Sequence, residues 1–380
     1  MKKAFKIVNI IVFFGIIAVL SAFSLLRRPV EYSELENRYL STMPKLSASE
    51  YFSKGYTQSL SKYLDDRFLM RTNFISLHTR LELLQGRKEV NGIVILDDRM
   101  VEPIFDVDYS NVEQSISAIN EFSREFDAKT YVLIVPTSAE IYSDRISAYK
   151  NAVSQKEFID KCYAGLDKSI VTVNVLDTLA AAKDDYIYYR TDHHWTQYGA
   201  YLAYTVTARR MGIAPSGLER FNVMHASHSF LGSMHSRTLY SGIEEDTIDF
   251  YISNYRTVSK SQRDKNGVDG FENVYLQENL LKKDKYLSYL GENTAKITLT
   301  SSAPSGKLLV IKDSYANCFV PFMAEHYATV DVIDPRYITD INNYVTERDY
   351  DAVLFLYNAK NFSEDNNLRK LKALKPYEQQ

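Results

Sequence analysis

Cysteine is nearly absent: Cys162 and Cys318 are the two in 380 residues, too few for a disulfide framework. Charge of either sign is not in excess, since the formal net charge is −3, and the bulk composition carries no nucleic-acid footprint. No internal repeat or low-complexity tract interrupts the chain, and tryptophan occurs once, at Trp195. Tyrosine, by contrast, is abundant, with 29 residues beside 19 Phe. Such half-polar rings suit ordinary amphipathic packing and also a surface that faces carbohydrate.

One long apolar run is present. Lys2, Lys3 and Lys6 precede an uncharged stretch over 7–26, broken only by Asn9, Ser21 and Ser24, and Arg27-Arg28 follow. About 20 apolar residues can cross a bilayer as a helix, whereas a signal peptide's apolar core is usually about 7–15. Ala22-Phe23-Ser24 has the shape of a cleavage site, but the run before it is long. The expectation is an uncleaved anchor over 1–28, lysines in the cytoplasm and the rest of the chain outside. If cleavage does occur, the remainder is secreted.

Residues 29–90 read as a helical juxtamembrane arm. Ser47-Ala48-Ser49-Glu50 offers a helix start, and Phe52, Tyr56, Leu60, Tyr63 and Leu64 recur at helical spacing. From 91 to 380 the pattern becomes α/β. Apolar runs at 92–96, 131–135 and 170–176 alternate with helical periodicity at 112–126. Ser154-Gln155-Lys156-Glu157 opens another helix, and Thr196 caps one over 197–211 that stops at Gly212. Short Tyr- and Thr-rich strands between 213 and 305 read as a β-rich antiparallel insertion. Strands at 307–311, 329–333 and 352–356, with a helix at 315–326, resume the α/β pattern. A parallel sheet covered by helices on both faces is the implied architecture, with ligands beyond the carboxyl ends of its strands.

Chemistry concentrates in two places. Thr191-Asp192-His193-His194-Trp195-Thr196 sets a carboxylate beside two imidazoles, one of them two residues on, a pattern suited to general-base work. About 120 residues later the apolar strand Leu308-Leu309-Val310-Ile311 runs through Lys312-Asp313 into Ser314, at the amino end of a helix. A serine is a weak nucleophile until a base held in one tautomer takes its proton. Asp192 orienting His194, and His194 activating Ser314, is one consistent assignment; His193 is the competing base, or a structural or substrate contact. The oxyanion could be met by the Ser314 N–H and a side chain among Asn317, Arg336, Tyr337 and Asn358. Trp195 reads as packing behind the histidine loop or as a sugar platform. His225, His228 and His235 form a second cluster that could bind a transition metal, but it lacks the compact His-Glu-x-x-His pattern. No metal and no cofactor is expected.

The Asp192-His193-His194-Trp195 run with Gly199-Ala200 resembles the signature of the DHHW family, which is similar to the alginate O-acetyltransferases and other SGNH-type acyltransferases of exported polysaccharides. Further fits are Glu34-Leu35-Glu36-Asn37-Arg38 with Pro44, Val135-Pro136, Lys312-Asp313-Ser314-Tyr315 and Asp334-Pro335-Arg336-Tyr337. Position by position the resemblance implies Asp192, His194 and Ser314 as the catalytic residues; where relatives show Gly before Asp-Ser, this chain has Lys312. It also implies an SGNH-hydrolase-like fold and an extracytoplasmic O-acyltransferase with a polysaccharide acceptor. Its acetyl donor would be delivered by a multispanning membrane acyltransferase. A carbohydrate esterase or deacetylase using the same triad, and a non-catalytic polysaccharide-binding scaffold, are the alternatives.

Overall fold

The computed structural model describes residues 2–26, 30–45, 54–146, 151–264, 267–268 and 272–375. Two units emerge: Met1–Asn91 together with His235–Gly242, and Gly92–Met234 together with Ile243–Gln380.

The first unit is helical. Helix α1, Lys2–Leu26, contains the apolar span Phe5–Ser24, of mean hydropathy 2.5, long and apolar enough to cross a membrane. Helices α2 (Lys54–Arg67) and α3 (Arg71–Leu84) follow; the expected helix start at Ser47–Glu50, and Phe52, lie outside the described residues. The Glu36-Asn37-Arg38 motif is structural here. Arg38 binds both carboxylate oxygens of Asp66 (3.1 and 2.5 Å), Glu36 pairs with Arg71, and the backbone N–H of Ser41 donates to Asp66.

In the second unit the strands of one central sheet include the continuous apolar runs 131–135, 308–311 and 352–357, buried on both faces as a covered parallel sheet requires. In chain order its longer strands are β1 (Lys129–Val135), β2 (Val171–Val173), β3 (Val258–Asp264), β4 (Lys296–Ser301), β5 (Lys307–Lys312), β6 (Thr329–Ile333) and β7 (Ala352–Asn358). Their spatial order is β3-β4-β6-β5-β7-β1-β2. The five strands from β6 to β2 run parallel, while β4 and β3 extend the edge antiparallel. Four strands of the 213–305 segment are thus part of the central sheet: β3, β4 and the two-residue strands Gly267–Val268 and Glu272–Asn273, which both pair with β3. The rest of the segment includes a two-stranded antiparallel pair, Phe221–Phe230 with Asp246–Ser253.

The period-2 alternation of the strands divides the core in two. Leu308, Val310, Leu354 and Leu356 face one side with α6 (Gln197–Arg210), and Leu309, Ile311, Val353 and Phe355 face the other with α4 (Tyr109–Ser123) and α5 (Gln155–Ala164). The capping signals hold: Ser154 accepts from Glu157 N, and Thr196 from Gly199 N. The apolar run 92–96 differs from expectation. Its strand, Ile93–Ile95, pairs antiparallel with Met100–Val101 outside the central sheet. The helix expected over 315–326 is also broken, into a 3-10 turn, Ser314–Cys318, and a short helix, Val320–Met323. Pro321, in the first turn of the second piece, has no N–H to give back to the first.

Candidate functional site

Strand β5 lies mid-sheet between β6 and β7, so its carboxyl end opens at the edge where parallel sheets present ligands. Asp313 closes the strand and starts the turn. Its carboxylate accepts from Tyr315 N (2.9 Å), Asn358 N (2.9 Å), Asn358 Nδ2 (2.7 Å) and Asn361 Nδ2 (3.0 Å). Burial pushes this carboxyl up, and those N–H donors with Arg336 hold it down. The result is a rigid elbow that carries Ser314 at the end of the sheet.

The histidine run sits in a tight loop. Thr196 N donates to Ile187 O, and Tyr189 N to His194 O. Gly199 lies where a Cβ would meet Ile187 O at 2.2 Å, so the α6 start can press against this loop only as glycine. Asp246, fully buried, accepts from Arg190 N, Thr191 N and the Tyr186 hydroxyl, tying the loop to the antiparallel pair.

These two segments meet. His194 Nδ1 is 2.6 Å from Asp192 Oδ1, and His194 Nε2 is 2.8 Å from Ser314 Oγ. Asp192 also accepts from His194 N (3.0 Å) and Ser233 N (2.7 Å), so its carboxylate is immobilised from both sides. Ser314 is buried, 8% exposed.

Electrostatics follow from that burial. Desolvation opposes charge on Asp192, but His193, His194 and the Ser233 N–H outweigh it and hold the carboxyl far below its usual range. Burial, then His193, push His194 down to about 4 against the pull of Asp192. At neutral pH the imidazole is therefore uncharged, and its Nε2 can accept a proton.

The other predicted residues have separate places. His193 is half-buried, its Nδ1 2.6 Å from Ser233 Oγ. Trp195 is fully buried and presents no face to a ligand; its Nε1 donates to Tyr315 O at 2.9 Å. Asn358 spends its amide N–H on Asp313. Arg336 clamps Asp334 through Nε and Nη2 (2.9 and 2.6 Å), and Tyr337, 50% exposed, lies beside it. Asn317 shares the 3-10 turn with Ser314. Its Oδ1 accepts from the buried Lys312 Nζ at 2.8 Å, and its Nδ2 donates to Asn293 Oδ1 at 3.3 Å, which leaves the second N–H of that amide for a further acceptor. Lys312, at the position where relatives of the resembled family show glycine, is buried; burial lowers its ammonium pKa, Asp334 opposes that, and its Nζ reaches the nucleophile turn through Asn317 Oδ1.

Asp192, His193 and His194 also place one possible metal-ligand atom each within 4.8 Å of one another. Both ring nitrogens of His194 are engaged by Asp192 and Ser314, an arrangement that serves proton transfer instead. His225 and His228 pair with Asp249 and Thr247 on the antiparallel strands. Tyr286, Gly232, Ser233, Asp246 and Asn293 contribute to the site without any local signal in the sequence.

The family described as DHHW protein matches residues 107–333. The chain belongs to the DHHW family. It is similar to the probable alginate O-acetylase AlgJ of Pseudomonas syringae pv. tomato, 24% identical over 225 residues, which are 56% of this chain and 53% of that protein. The chain spans about half the length of that curated relative. A DHHW family protein from Eubacterium siraeum has a similar structure (TM-score 0.64, 22% identity, 74% of this chain and 95% of that one). So does Bacillus cereus PatB1 with a sulfonyl adduct (TM-score 0.62, 21% identity, 73% of this chain and 98% of that one). These likenesses show the shared fold, an α/β sheet flanked by helices.

Proposed function

We propose that this DHHW protein is an extracytoplasmic serine O-acyltransferase that moves an acyl group, acetyl in the first instance, onto a hydroxyl of a cell-wall or secreted polysaccharide. The observation that carries the reading is the run of two contacts, Asp192 Oδ1 to His194 Nδ1 at 2.6 Å and His194 Nε2 to Ser314 Oγ at 2.8 Å. The similarity to a probable alginate O-acetylase supports the reaction class. The apolar span Phe5–Ser24 supports a single-pass anchor with the main unit outside.

Two half-reactions follow. As Ser314 Oγ attacks the carbonyl carbon of the acyl donor, His194 Nε2 takes its proton, and the imidazolium is stabilised by Asp192. The oxyanion is met by the Ser314 N–H and Asn317 Nδ2, two donors on one turn. Collapse of the intermediate expels the donor's leaving group, which receives the proton from His194. The acceptor's hydroxyl then gives its proton to the same nitrogen, attacks the acyl-serine, and leaves as ester while Ser314 is restored. A multispanning membrane acyltransferase would present the donor.

A fluorophosphonate or sulfonyl fluoride probe tests the reading. Mass spectrometry should find the adduct on Ser314, with none on Ser314→Ala or His194→Ala. An acetyl ester plus a glycan acceptor then separates transfer from hydrolysis. Labelling with hydrolysis alone makes the protein an esterase; no labelling, with glycan binding retained, makes it a scaffold.

A further inference from the structure

His194 is fixed at both ring nitrogens, yet two edge contacts leave a ring free to tilt about the line joining them. The structure supplies faces. On one side the Tyr286 ring stacks on the imidazole, centroids 3.7 Å apart and planes 8° from parallel; on the other His193 lies at 3.9 Å, tilted 37°. The Tyr286 hydroxyl donates to the carbonyl oxygen of Ser314 at 3.0 Å and lies 3.4 Å from Cys318 Sγ. One side chain therefore touches the base through its face and the nucleophile's own backbone through its hydroxyl.

Tyr286 is itself held hard. It belongs to the short turn Lys285–Ser288, far in sequence from both partners, and it is buried. The rings of Tyr189 and Tyr289 pack against it edge-on, and Tyr289 donates to Asp249 O at 2.6 Å. Lys285 Nζ reaches Ser227 Oγ and Ser229 Oγ on the antiparallel pair. Burial pushes the Tyr286 phenol well above its usual range, so it remains a neutral donor.

We propose that Tyr286 is a positioning residue through which the turn Lys285–Ser288 holds the His194 ring in line with Ser314 Oγ. The inference rests on the acyl-transfer reading above and adds to it a residue outside the triad. A displacement of about 1 Å in such a pair costs on the order of 10²-fold in rate. The charged and titratable groups facing the imidazole are Asp192, His193 and Arg336, with the phenols of Tyr286 and Tyr315; Cys318 lies behind Tyr286.

The test uses the full chain in nanodiscs and the rate at which a fluorophosphonate modifies Ser314 between pH 3.5 and 8. Tyr286→Phe keeps the stack and loses the hydroxyl; labelling should slow roughly 3- to 10-fold with its acid limb unmoved. Tyr286→Leu loses both; labelling should slow about 10²-fold, and the acid limb should rise toward the ordinary histidine value as water reaches the ring. Tyr289→Phe, one ring further out, is the control: a role in packing alone would make it as costly as Tyr286→Phe. Equal losses in those two, or a Tyr286→Leu protein within about threefold of wild type with the same limb, overturn the proposal. Should wild type fail to label at any pH, the acyl-transfer reading fails separately. The clamp is then read by ¹⁵N NMR of His194, whose midpoint near 4 should rise in Tyr286→Leu; an unmoved midpoint overturns it.

Discussion

Trp195 and Tyr315 lock the two halves of the site to each other. The indole Nε1 donates to the Tyr315 carbonyl at 2.9 Å, and the Tyr315 hydroxyl returns to the His193 carbonyl at 2.5 Å. Each residue is the chain neighbour of a member of the Asp192–His194–Ser314 run, so distance across the site is set by a reciprocal pair beneath it. Trp195→Phe keeps the six-membered ring and leaves the buried Tyr315 carbonyl only the weak Cys318 thiol, at 3.8 Å, as a donor. It should cost about 1–3 kcal/mol, seen as a lower unfolding midpoint in urea. Ser314 labelling should fall with it, because the two loops are no longer held in register. Wild-type stability in Trp195→Phe would deny the lock.

The second expectation concerns acid. His194 is held near 4, and its protonated form cannot accept the Ser314 proton, so activity is present above that value and lost as pH falls through it. The acid limb of kcat/KM should therefore lie about two and a half pH units below that of an ordinary histidine base. Stability shares the sign. Between about 4 and 6.5 the unfolded histidine binds a proton that the native one does not, so native stability rises with pH across this window. Asp192, held low, also contributes stability that is lost as pH falls through its native value. Melting of wild type and His194→Gln between pH 4 and 7 checks this; the mutant should have the shallower slope.

Much of this was legible from residue type and order. Leu308–Ile311 are apolar throughout because both faces of β5 are covered, and that run led straight to Ser314. Asp192 and His194 are two apart, so local chemistry announced them. The residues that went unread act over long separations. Tyr286 reaches His194 from 92 positions away by number, and in a chain with 29 tyrosines one more carries no mark. Asp246 looked like any loop carboxylate, yet it anchors the Thr191 backbone. The expected helix 315–326 failed for a local reason that spacing of apolar residues does not register, namely Pro321.

Gly232 gives a steric prediction. A Cβ there would lie 2.2 Å from Asp192 Cβ and 2.4 Å from Oδ2, so Gly232→Ala must push the carboxylate away from its Ser233 N–H donor. Labelling of Ser314 should fall roughly 10²-fold or more with circular dichroism unchanged. Ser233→Ala retains that backbone donor and should label within a few-fold of wild type. A Gly232→Ala protein as reactive as Ser233→Ala would remove Asp192 from the reaction.

Lys312 permits a test of coupling. Its Nζ reaches Asn293 Oδ1 at 2.5 Å, Asn317 Oδ1 at 2.8 Å and Asp334 Oδ2 at 3.4 Å, and Asp334 keeps Arg336 if the lysine is lost. Lys312→Met preserves length and removes the donor, so the Asn317 amide keeps only the Nδ2 bond to Asn293 Oδ1 (3.3 Å) to set its orientation. If Asn317 Nδ2 meets the oxyanion, Asn317→Ala should lower kcat by about 10²-fold or more. Lys312→Met alone should lower it roughly tenfold, because the donor is misdirected part of the time rather than deleted. The double variant should be no slower than Asn317→Ala, since Lys312 acts through that amide and has nothing left to orient. Strictly additive losses would separate the two residues and leave the buried lysine a matter of stability alone.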